Sequence, residues 1–210
     1  MNREQFDRIV RSVAQLTGEK DVLVVGSQAV LGWYPDMDDF VIVRSMELDV
    51  GPLDGSDRNI VEIAGVLGEL SPFHESNGAY ADGVSVEEIA LLPRGWRDRL
   101  LRVEGENLKT PKGQQSIAWC LHPNDILVSK WAAGREKDFT YCECLVALNL
   151  PEVDRSQVEC GLNEIRQRFP TKANVIAAAL SSMNAAFDKL QHRLSHNGHD
   201  LPPQGQQLGR

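Results

Sequence analysis

The chain has 210 residues, 42% of them hydrophobic and 25% charged, enough for one substantial core or one α/β domain with a helical appendage. Its net charge of −8 and pI near 5.1 exclude capture of long nucleic acids by bulk electrostatics and leave only a local basic patch for such a role. No apolar run approaches the ~18 residues of a membrane span, the polar start Met1-Asn2-Arg3-Glu4-Gln5 does not read as a signal peptide, and four cysteines without paired CxxC spacing fit a reducing, cytoplasmic setting.

In chain order, residues 3–17 put Phe6, Ile9, Val10, Val13 and Leu16 on one helical face, with Asn2 and Gln5 as a capping pair and Gly18 as the stop. The run Val22-Leu23-Val24-Val25 predicts a short buried strand, punctuated by Gly26-Ser27. Gly26 permits a sharp turn. The backbone N–H groups and hydroxyl beyond it, at the start of a short helix predicted over 28–32, suit phosphate oxygens. Trp33-Tyr34-Pro35-Asp36 breaks that helix, and Asp36-Met37-Asp38-Asp39 reads as a solvated loop. Residues 45–50 alternate: Met46, Leu48 and Val50 take one face of a strand, Ser45, Glu47 and Asp49 the other. Two carboxylates so spaced lie roughly 7 Å apart along a strand, a separation suited to a hard divalent cation.

Asp54-Gly55-Ser56-Asp57 is turn chemistry, and Ile60, Ile63, Ala64, Leu67 and Leu70 mark a second packing helix. Residues 71–78 read as a loop, and 84–92 as a strand bounded by Gly83 and Pro93. Asp82, Glu87 and Glu88 compete as a third carboxylate near the first two, and alternation does not decide between them. Strands are predicted at 101–103 and 116–121. Arg94, Arg97, Arg99 and Arg102 are either a small basic patch or ordinary surface arginines around a packed Trp96. A helix starts at Pro123-Asn124-Asp125, and Lys130 and Lys137, seven apart, are expected on one face of it. Cys142 and Cys144 read as two thiols on a helix rather than a metal site, and His192, His196 and His199 as an incidental cluster. From Phe139 onward the apolar spacing is helical, with Thr171 as the cap of a long last helix. The division expected is a sheet domain at 1–121, a helical portion at 122–194 completing a cleft, and a flexible tail at 195–210.

A Gly-Ser turn after one strand, an acid-x-acid pair on the next, and the segment Ser129-Lys130-Trp131-Ala132-Ala133-Gly134-Arg135-Glu136-Lys137-Asp138 together resemble the DNA polymerase β-type nucleotidyltransferase superfamily. More narrowly, Val25-Gly26-Ser27-Gln28-Ala29-Val30-Leu31-Gly32 and that basic segment are similar to stretches of the AbiEii-like toxin group and related bacterial domains, the likeness spanning about 20–145. The resemblance implies an α+β fold: a small, mixed, twisted sheet with packed helices and a helical C-terminal bundle. It implies metal-dependent transfer of a nucleoside monophosphate from an NTP to a hydroxyl on a tRNA end or a protein side chain, by one half of a toxin–antitoxin pair with a cognate antitoxin partner. Glu47, Asp49 and Asp82 would be catalytic, the segment around Tyr80-Ala81-Asp82 favouring Asp82 as the third acid. Glu47 and Asp49 would bind Mg²⁺ or Mn²⁺, while Gly26, Ser27, Lys130, Arg135, Lys137 and Asp138 would hold the nucleotide. The helical bundle offers a homodimer surface. Rival readings are a catalytically inactive member that binds a nucleotide or protein partner, and an unrelated α/β protein whose Glu-x-Asp only decorates a strand.

Overall fold

Asn2 opens the first helix, α1 (Arg3–Thr17), with a full capping box: its side chain accepts from the Gln5 amide, and the Gln5 side chain accepts from the Asn2 amide. Gly18, in the left-handed conformation, ends it, and Phe6, Ile9, Val10 and Val13 are buried beneath it. These contacts come from a computed structural model that describes residues 1–54, 59–85 and 91–197. The turn expected at 54–57 falls mostly outside that range, as do Glu87, Glu88, His199 and the tail from 198 onward.

Five strands form one mixed sheet: β1 (Asp21–Val24), β2 (Glu47–Pro52), β3 (Tyr80–Gly83), β4 (Leu101–Val103) and β5 (Ile117–Cys120), in the order β3-β2-β1-β5-β4. β1 lies in the middle, antiparallel to β2 and parallel to β5. That central place explains its unbroken apolar run, because a strand covered on both faces has no polar side to show. β2 follows the alternation of its sequence, with Leu48 and Val50 buried and Glu47 and Asp49 partly open. β3 runs parallel to β2 and pairs Asp82 with Asp49. The residues that pair with β2 are 80–83, upstream of Val84, and most of the strand predicted at 84–92, residues 86–90, lies outside the described residues.

Between β1 and β2 the chain makes a one-turn 3-10 helix at Ser27–Ala29 and the short helices α2 (Val30–Trp33) and α3 (Phe40–Val43). The helix predicted at 28–32 is present but split and extended to Trp33. Asp36 and Asp38 are exposed as a solvated loop requires, whereas Asp39 caps α3 through the amides of Val41 and Ile42. α4 (Ile60–Leu67) packs on β3 and α1. The predicted loop at 71–78 is instead α5 (Pro72–Asn77): Ser71 caps it through the His74 amide, Pro72 fills its first turn, and Gly78 closes it.

After β5, His122 caps α6 (Pro123–Ala133), followed by α7 (Glu136–Ala147), α8 (Arg155–Arg168) and α9 (Ala173–Asn197). These four helices pack on one another, and α7 also packs on α3, which brings the helical portion to the end of the sheet that carries the Gly-Ser turn. Thr171 sits inside a 3-10 turn, Pro170–Lys172, before α9, and residues 195–197 continue α9. Among the described residues no helix is long and apolar enough to cross a membrane.

Candidate active site

The site begins where β1 stops. The Val25 amide donates to the Asp49 carbonyl at 3.0 Å, tying the turn to β2. Gly26 then adopts φ 67° and ψ −164°, and a Cβ there would stand 1.7 Å from Asp49 Oδ2. Only a residue with no side chain lets the Asp49 carboxylate lie across the turn. Glu47 and Asp49 project from the same face of β2, and the parallel register sets Asp82 of β3 beside Asp49. One oxygen from each of these three carboxylates lies within 4.8 Å of the others. The Tyr80 hydroxyl reaches Glu47 Oε2 at 3.4 Å from the strand alongside.

Crowding of this kind shows in the titration of the acids. Burial pushes Asp49 up to about 8, helped by the charge and hydrogen bond of Glu47 and by Asp82, and opposed by the Lys130 ammonium. Asp82 is raised as well, by burial and then by Glu47. Tyr80 rises to about 12, first by burial and then by Glu47, and so remains a donor. Three hard oxygen donors that repel one another and open onto a cavity suit a hard divalent cation such as Mg²⁺ or Mn²⁺ rather than a soft metal. The residues present fit such an ion.

Facing the acids across a cavity of about 570 Å³ is a wall of cations. Lys130 comes from α6 and Lys137 from α7, so the expectation of one shared helical face is corrected. Gly134, left-handed at φ 75°, ends α6 between them, and Val175 of α9 packs so close that a Cβ there would meet it at 2.5 Å. Both lysines nonetheless line the cavity with Gly26 and Ser27, as do Arg135 and Asp138. Asp138 is 1% exposed and bridges Lys130 at 3.2 Å and Arg135 at 2.5 Å. Burial pushes its carboxyl up, but the hydrogen bonds from Arg135 and Lys130 outweigh that and hold it below the usual range. Lys137 is exposed.

Two further lining residues escape a reading of the sequence, Arg44 at the end of α3 and Tyr141 on α7. A basic residue next to an acidic strand was the available signal for Arg44. Tyr141 gave none, since it reads as one more core position. The arginines at 94–102 are not a free basic patch: Arg99 forks onto Asp125 at 2.9 and 2.8 Å, Arg94 faces Glu164, Arg102 faces Glu104, and Arg97 lies over the Trp96 ring. His74 is occupied structurally, accepting from the Leu70 amide and packing on Tyr80, and none of the four cysteines forms a disulfide.

An acidic sheet edge opposite a cationic helical wall, with a glycine turn between, makes a cleft shaped by charge for a polyanion bound together with a cation. Residues 4–155 match the family described as "Nucleotidyltransferase of unknown function (DUF6036)", and the chain belongs to that family. The match contains every residue of the cavity named above and stops at the start of α8. No curated protein and no solved structure matches the chain.

Proposed function

We propose that the protein is a metal-dependent nucleotidyltransferase that moves a nucleoside monophosphate from an NTP to a hydroxyl acceptor. The observation that carries this reading is the convergence of Glu47, Asp49 and Asp82, within 4.8 Å of one another, on the cavity that also holds Gly26, Ser27, Lys130 and Lys137. Glu47 and Asp49, with Asp82 beside them, would hold Mg²⁺ or Mn²⁺. When bound, such an ion supplies charge neutralisation and orientation for in-line displacement at the α-phosphorus with release of pyrophosphate.

The chain's own residues account for the rest. Ser27 offers its hydroxyl and the backbone around it to phosphate oxygens, at a turn that leaves no side chain in the way. Lys130 and Arg135, held by Asp138, and the exposed Lys137 offset charge on the β- and γ-phosphates. Asp82, set beside Asp49 by the parallel register and lining the same cavity, is the carboxylate available as base toward the acceptor hydroxyl. The acceptor hydroxyl belongs to a tRNA end or a protein side chain, and a net charge of −8, which gives no bulk attraction for nucleic acid, favours the protein. The setting that fits this chemistry and the resemblance to the AbiEii-like group is a cytoplasmic toxin neutralised by an antitoxin protein.

Incubating the full chain with each labelled NTP and Mg²⁺, with bulk tRNA or protein as acceptor, tests the reading. Pyrophosphate release and label on an acceptor or on the protein itself are the expected results. NTP binding without either would make it a nucleotide-binding member of the fold, and neither binding nor turnover would end the enzyme reading.

A further inference from the structure

Tyr141 touches both sides of the cleft. It lies three residues after Asp138 on α7, 5% exposed, and its hydroxyl donates to the Ser27 carbonyl at 2.8 Å, a link across 114 residues of chain. The Lys130 ammonium sits 4.8 Å from its ring centroid while also bonding Asp138. One side chain therefore grips the turn that faces the phosphates and carries the cation opposite it. A carbonyl and the following N–H share one rigid peptide plane, so fixing the Ser27 carbonyl also fixes the direction of the Gln28 N–H. Burial raises the phenol well above its usual range, and the hydroxyl stays a donor at any working pH.

We propose that Tyr141 is a positioning residue that locks the Gly26-Ser27 turn to Lys130, so that the helical portion sets the geometry in which the triphosphate is received. This rests on the nucleotide-binding reading above. A phenylalanine would fill the same space and still carry Lys130, so the hydroxyl is spent on the turn alone; a leucine would remove both functions.

The test compares wild type, Tyr141→Phe and Tyr141→Leu as full chains, by calorimetric titration with ATP, GTP, CTP and UTP in Mg²⁺ and by amide hydrogen exchange over residues 27–30. Loss of one hydrogen bond is worth about three- to tenfold in an equilibrium, so Tyr141→Phe should weaken nucleotide binding by that factor per folded molecule. It should also speed exchange at the turn while leaving α1 protected. Tyr141→Leu should weaken binding further. A variant that only melts earlier, with turn exchange and affinity unchanged, would reduce Tyr141 to a core filler and overturn the proposal. If wild type binds none of the four nucleotides, the nucleotide reading fails on its own, and the exchange data still decide whether Tyr141 holds the turn.

Discussion

Two groups of acids line the same cavity and behave in opposite ways. Asp138 is nearly sealed from solvent, yet its carboxyl is held below the usual range, because Lys130 and Arg135 both reach it. Asp49 is raised to about 8, first by burial and then by the charge and hydrogen bond of Glu47, with Lys130 opposing only in part and Asp82 adding to the rise. A satisfied buried acid is part of the scaffold. An acid forced among other acids, on two rigid strands, holds unfavourable energy that a cation would relieve, which is how functional sites commonly differ from structural ones.

The comparison can be broken from either side. The largest effect is expected from Gly26→Ala, which puts a Cβ into the Asp49 carboxylate and a side chain at φ 67°. It should remove transfer activity and cost about 2–4 kcal/mol of stability in chemical denaturation, since strain and collision act together. Asp138→Ala comes next, at about 2–3 kcal/mol, because it strips a buried partner from Lys130, itself only 15% exposed. Arg135 should add little to that cost, being 61% exposed and screened by solvent.

A gentler probe is pH. Asp49 binds its proton more tightly in the folded chain than in the unfolded one, so its contribution to stability is complete below about pH 3.8 and is lost as pH rises toward about 8. Without divalent metal, stability followed by thermal melting should therefore fall as pH rises across that window. In Asp49→Asn the fall should be smaller. An identical pH profile in the two proteins would place the crowding elsewhere.

Much of this was legible in the sequence. The buried run before Gly26-Ser27 and the period-two alternation through Glu47 and Asp49 are local signals, and both survive in the structure. Asp82 could not be chosen over Glu87 and Glu88, because its role depends on a parallel register between β2 and β3, a pairing no local pattern announces. Gly134 was readable as a helix stop, yet seven-residue spacing between Lys130 and Lys137 suggested one continuous helix; the left-handed turn at Gly134 breaks it, and the close approach of Val175 leaves no room for a side chain there. α5 carried its signal in Ser71-Pro72 but is too short for periodicity to show. Tyr141 meets Ser27 across the whole sheet domain, a distance at which sequence patterns are silent.

The central claim is that Glu47, Asp49 and Asp82 form a metal site awaiting a nucleotide-bound cation. Calorimetric titration of Mg²⁺ in the presence of saturating NTP, on wild type and on Asp49→Asn, tests it most directly. Asparagine keeps the shape of the side chain and removes its charge, so wild type should bind the ion while the variant should not, with a melting temperature unchanged or slightly higher in the absence of metal. Equal metal binding by the two proteins would show that these carboxylates are not the metal site.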